Sequence, residues 1–85
     1  MNYDEMDFKE IEEVLKIKPV DKESLQFKSS YEKEDFDTWE EVEGFLKELK
    51  IRAKENYHCF ISVLGYEIYM DHYIRVYYHT HISNS

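Results

Sequence analysis

From Thr38 to Glu55 the apolar residues Trp39, Val42, Phe45, Leu46, Leu49 and Ala53 recur at intervals of three and four, which places them on one side of an α-helix. Thr38 stands three residues before Glu41, a capping box in which each side chain satisfies a free amide of the other. Acids crowd the first turns of this segment, and Lys47, Lys50, Arg52 and Lys54 crowd the last, the order that suits the helix dipole. Glu43–Lys47 and Glu48–Arg52 are well-oriented pairs, and Asn56 suits a left-handed stop. Gly44 runs against the pattern. A glycine inside a helix costs about 1 kcal/mol compared with alanine, and its presence points to a close backbone approach on that side.

Beyond the helix the pattern shortens to alternation. With Gly65-Tyr66 as a two-residue turn, glycine first, Leu64 faces Glu67, Val63 faces Ile68 and Ile61 faces Met70. One face then collects Cys59, Ile61, Val63, Ile68, Met70, His72, Ile74 and Val76. The other collects His58, Phe60, Ser62, Leu64, Glu67, Tyr69, Asp71, Tyr73, Arg75 and Tyr77. A turn at Asp71-His72 competes, but it lacks glycine and mixes the faces more. The second strand runs on through Tyr78, Thr80 and Ile82, past its hairpin partner. Ser24–Tyr31, where Leu25, Phe27 and Tyr31 alternate with polar residues, is the candidate neighbour.

Nearer the N-terminus, Phe8, Ile11, Val14 and Leu15 fit a helix with Asp7 and Glu10 as cap residues and Pro19 closing it. A strand at Val14–Lys18 is the alternative there. The expected fold is α+β: a small antiparallel sheet of about three strands packed on one main helix. The expected order is α-β-α-β-β, with ββαββ as the alternative. Trp39, Val42, Phe45, Leu46 and Leu49 are expected to meet Ile61, Val63, Ile68, Ile74 and Val76.

Length confines this to one domain, residues 1–85, with no repeat and no Gly/Ser linker. One cysteine excludes an internal disulfide and a cysteine-rich zinc ribbon. No apolar run approaches the roughly 18 residues of a membrane span. The first ten residues carry four acids and one lysine, unlike a secretory signal. The expectation is a soluble cytoplasmic chain with no membrane partner. Its core is thin, so a partner or a homodimer would complete some apolar surface, and the long last strand, read as an exposed edge, supports dimerisation.

Charge changes the picture more. The net charge is −8, and all of it lies in residues 1–50; Tyr31–Glu48 alone holds eight acids against two lysines. Such a field repels free nucleic acid and attracts basic partners. Lysine outnumbers arginine nine to two, which fits an AT-rich genome such as that of a Gram-positive bacterium or its phage.

Two surfaces are candidates for partner binding. The acidic segment offers Glu32, Glu34, Asp35, Asp37, Glu40, Glu41 and Glu43; a solvated, dipole-matched start to the helix is the structural alternative. The aromatic sheet face offers Tyr69, Tyr73 and Tyr77 with Arg75, side chains that supply much interface energy, unless an N-terminal element covers them. His79 and His81 share a strand face, but no third ligand converges on them, so no metal and no cofactor are expected. His72 reads as a core histidine and Cys59 as inert packing. No Gly-rich phosphate loop or nucleophile elbow occurs, so no catalytic residue is expected. The expected function is a non-enzymatic protein-binding module, a small acidic inhibitor or regulator that docks on a basic partner. One alternative is a DNA or RNA mimic that blocks a nucleic-acid-binding protein. Another is a small enzyme centred on a histidine.

Overall fold

The structure, a computed structural model, describes residues 2–28, 30–55 and 59–82, with residues 59, 81 and 82 described by backbone alone. After a single 3-10 turn at Tyr3–Glu5 come the helices α1 (Phe8–Leu15) and α2 (Lys22–Leu25) and the strand β1 (Glu32–Phe36). They are followed by the long helix α3 (Trp39–Glu55) and the hairpin strands β2 (Cys59–Tyr69) and β3 (Tyr73–Ile82). The strands form one antiparallel sheet in the order β1-β3-β2, and α3 packs on it. The α+β reading and its order α-β-α-β-β hold, with α2 as an added single turn.

Local chemistry sets the helix ends. Asp7 caps α1 by accepting the Glu10 N–H at 2.9 Å. The helix stops at Lys16, left-handed at φ 59°, and the Ile17 N–H turns back to the Glu12 carbonyl at 3.2 Å. Thr38 caps α3 by accepting the Glu41 N–H at 3.2 Å, while Glu41 reaches one residue further back than a standard capping box, to the Asp37 N–H at 3.0 Å. Asn56 lies outside the described residues.

The chain does not reverse at Gly65. It reverses at Met70-Asp71, both left-handed at φ 55° and 58°, with the His72 N–H donating to the Tyr69 carbonyl at 3.2 Å. Two successive positive φ values make a type I′-like turn, which matches the twist of the flanking strands. Aspartate tolerates this conformation, and Met70 accepts a cost of about 1 kcal/mol.

Gly65 serves another purpose. It sits at φ 147° beside a bulge between Val63 and Gly65. Here Lys18–Val20 runs parallel to β2, with Tyr66 N–H to Lys18 C=O at 3.1 Å and Val20 N–H to Tyr66 C=O at 2.8 Å. A Cβ on residue 65 would lie 2.7 Å from the Lys18 oxygen and from the Val20 Cα. A glycine inside a strand marks a bulge or a close crossing of backbones; this one marks both.

The displaced turn also changes the sheet edges. β2 pairs with β3 along its whole length and β1 pairs with β3 from Ile74 to Tyr78, so that stretch of the last strand is central and not an edge. The exposed-edge argument for a homodimer does not apply to that stretch. The third strand is Glu32–Phe36, and the described residues of Ser24–Tyr31 form no strand. Asp21 starts α2 instead, accepting from the Glu23 N–H at 3.1 Å and the Ser24 Oγ at 2.9 Å.

The core joins Val42, Leu46 and Leu49 of α3 to Tyr66, Ile74 and Val76 of the sheet and to Ile17. Trp39, Phe45, Phe36, Ile61, Tyr78 and Leu15 pack around it. Val63 and Ile68, expected inside, are 38% and 40% exposed, while Tyr66, expected in a turn, is buried. The bulge explains the entry of Tyr66, because it puts Tyr66 on the same sheet face as Val63 and Ile68.

Candidate partner-binding groove

β1 and α3 face each other across an open groove of about 520 Å³. Its floor is aromatic. Phe45, on the flank of the apolar stripe of α3, lies between Phe36 of β1 and Tyr78 of β3, with ring centroids 5.0 Å and 5.3 Å away. All three rings are half-buried. Alternation along β1 puts Glu32, Glu34 and Phe36 on this face, paired with Tyr78, Val76 and Ile74 of β3.

Glu34 forms one wall. Glu41 and Glu48, two helical turns apart, form the other, with Arg52 one turn beyond. Arg52 is taken up by Glu48 at 3.0 Å. Three carboxylates against one guanidinium leave the groove negative. The field extends to Tyr78, whose phenol is pushed above its ordinary pKa by burial first and then by Glu32 and Glu34, with Arg52 opposing. Gly44 lies between Glu41 and Glu48 in the same lining, and a Cβ built there would meet nothing within 4 Å. Among the described residues no backbone from another element approaches it.

The other acidic candidates are dispersed. Asp35 points to the opposite face of the sheet, where it accepts Arg75 Nε at 2.7 Å and Nη2 at 3.0 Å. The guanidinium also lies 3.6 Å above the Tyr69 ring. The Arg75 hydrogen bonds hold the Asp35 carboxyl below its usual range and push the guanidinium up. Asp37 lies at the mouth of the hairpin turn, 3.2 Å from His72 Nε2. Glu43 occupies the far flank of α3, accepting the Tyr3 hydroxyl and Lys47 Nζ, the latter at 3.4 Å. The Tyr3 bond holds Glu43 below the usual carboxylate range. Glu40 is exposed on that same side, close enough to act on the Tyr3 phenol.

The tyrosine face divides too. Tyr77 is buried, with the Tyr31 ring 5.7 Å away and its hydroxyl on Glu67, which also takes Lys22 of α2 at 2.7 Å. Tyr69 and Tyr73, opposite each other across the hairpin, stay 38% and 39% exposed around Arg75. An N-terminal element therefore covers one end of this face and leaves the other open.

Sequence reasoning missed the groove's floor. The signal was the alternation Glu32, Glu34, Phe36, which reads as a strand once the segment is not assigned wholesale to a solvated lead-in to the helix. His72 is not a core residue; it is exposed on the turn, its ring 4.7 Å from that of Tyr73. His79 pairs with Ser62 across the sheet. His58 and the side chains of His81 and Cys59 lie outside the described residues. Among the described residues no three His, Cys, Asp or Glu side chains are grouped to hold a metal ion, and no helix is long and apolar enough to cross a membrane. No family model matches the chain, and no match is found among curated proteins or solved structures.

Proposed function

We propose that this chain is a non-enzymatic protein-binding module, a small acidic inhibitor or regulator, that docks on a basic surface of a partner protein through the groove between α3 and β1. The observation that carries this reading is the set Glu34, Glu41 and Glu48 around an aromatic floor, offset only by Arg52. Aromatic area provides contact, and carboxylates provide steering and register, the usual division of labour in a charged interface. The outward edge of β1 carries charged side chains, which discourages strand addition and favours docking by side chains.

Affinity capture from the source cell tests this, with wild-type protein and a Glu34→Lys, Glu41→Lys, Glu48→Lys variant as parallel baits. The expected result is a protein with a basic surface that the wild type retains, that moderate salt elutes, and that the folded variant loses. Equal retention by the variant would end the reading. Competition of nucleic acid with this chain for the captured protein would identify mimicry as the form the docking takes.

A further inference from the structure

We infer that the α3–β1 groove receives an arginine side chain of the partner, delivered by a backbone that runs against the bare flank of α3 at Gly44. This rests on the protein-binding reading above and specifies what that surface reads.

Two observations carry it beyond charge. Gly44 sits in the interior of a seventeen-residue helix, where glycine is unfavourable. Its backbone lies in right-handed helix, not in a conformation that needs glycine, and the space where its Cβ would stand is open to 4 Å. Among the described residues nothing requires glycine here. The flank it bares is the wall of the groove, midway between Glu41 and Glu48. A missing side chain at that place admits a second backbone closer to the helix axis than any other residue would allow.

The second observation is chemical. The groove sets carboxylates against aromatic rings, with Glu34 and Glu41 on facing walls and Phe36, Phe45 and Tyr78 between them. On the opposite face of the sheet the chain shows what such a pairing holds: Arg75 is gripped through two nitrogens by Asp35, with its guanidinium carbon 3.6 Å from the centre of the Tyr69 ring. A planar guanidinium satisfies both partners at once, whereas an ammonium is drawn to a ring but cannot form the two-nitrogen fork. Arg52 already occupies the Glu48 end of the groove from within the chain, so the incoming arginine belongs at the Glu34–Glu41 end.

The test uses full-length isotope-labelled protein and three synthetic peptides of otherwise equal glycine-rich sequence, carrying arginine, lysine or citrulline at every third position. Amide shifts are followed by nuclear magnetic resonance. The arginine peptide is expected to move Glu34, Phe36, Glu41, Gly44, Phe45 and Tyr78, with the lysine peptide weaker and the citrulline peptide inert. Gly44→Ala is expected to melt no lower than wild type yet to bind the arginine peptide at least about tenfold more weakly, with Gly44→Leu weaker still. Wild-type affinity in both glycine variants, alongside loss of binding in Glu34→Lys/Glu41→Lys, would overturn the close approach at Gly44 and leave the basic-partner reading intact. Equal binding of arginine and lysine peptides would overturn the choice of arginine. Shifts confined to other surfaces, or none at millimolar peptide, would overturn the inference as a whole, while the captured partner continues to decide the reading beneath it.

Discussion

Glycine carries opposite meanings at its two positions. Gly65 is required by the chain itself, because its φ of 147° and the 2.7 Å approach of the Lys18–Val20 backbone leave no room for a side chain. Gly44 is required by nothing among the described residues. Gly65→Ala is therefore expected to destabilise the fold by about 3 kcal/mol, since it must break the Lys18–Tyr66–Val20 hydrogen bonds or strain the strand. Urea denaturation measures this directly. A variant within a few tenths of a kcal/mol of wild type would show that the crossing segment is not part of the stable fold. Met70 and Asp71 make the complementary point. The turn uses left-handed residues that are not glycine, so a search for glycine at the reversal selects the wrong bend.

Between elements, hydrogen bonds from tyrosine to glutamate recur as fasteners. Tyr3 ties the N-terminus to Glu43 of α3, Tyr66 of β2 holds Glu12 of α1 at 2.6 Å, and Tyr77 holds Glu67, which Lys22 of α2 also grips. These bonds make stability depend on pH in two windows. Asp35 is held below its ordinary 3.8 by Arg75, and Glu43 below its ordinary 4.5 by Tyr3; Glu67 is also held below 4.5, where burial is outweighed by Lys22 and Tyr77. A depressed carboxylate contributes stability above its unfolded pKa and loses it as pH falls through the folded one. Tyr3 and Tyr77 shift the other way, pushed up to about 12 by burial and then by their glutamates. Their contribution is complete below the ordinary 10.0 and is lost as pH rises through about 12. Denaturant midpoints are expected to be flat between about pH 5 and pH 10 and to fall on both sides. Tyr3→Phe is expected to shallow the alkaline fall, and an unchanged alkaline limb in that variant would contradict the assignment.

Periodicity made α1, α3 and the alternation of β3 legible, because each has one apolar side and a cap that the sequence spells out. The inward set Ile61, Ile74 and Val76 was also legible in spite of the misplaced turn. The bulge at Val63/Gly65 restores the alternation that a turn at that point would have produced. What was not legible is what distant segments decide: that Lys18–Val20 crosses β2, that Tyr66 enters the core, and that β1 begins at Glu32. A strand with the sequence EKEDF carries almost no apolar signal of its own, and it is held by its pairing with Tyr78 to Ile74.

At the scale of the whole molecule, the acidic segment is not one patch. Its carboxylates fall in four places: the groove, the Arg75 face, the hairpin turn beside His72 and the flank beside Tyr3. The groove gathers three of them, Glu34, Glu41 and Glu48, around an aromatic floor. Gly44 there bares a helix flank against which no other described residue packs within 4 Å of the Cβ position. On the opposite side of α3 a smaller, apolar hollow of about 190 Å³, lined by Leu15, Ile17 and Ile61, has lysines in its lining, Lys16 and Lys50. The two sides of the helix thus present opposite charge, and the partner's sign selects between them.

Hydrogen exchange of the chain alone and with its captured partner tests the docking surface most directly. Added protection is expected in the amides of Glu34–Phe36 and Glu41–Glu48, with Tyr69–Arg75 unchanged. Protection centred on Tyr69, Tyr73 and Arg75, with the groove still exchanging freely, would contradict it.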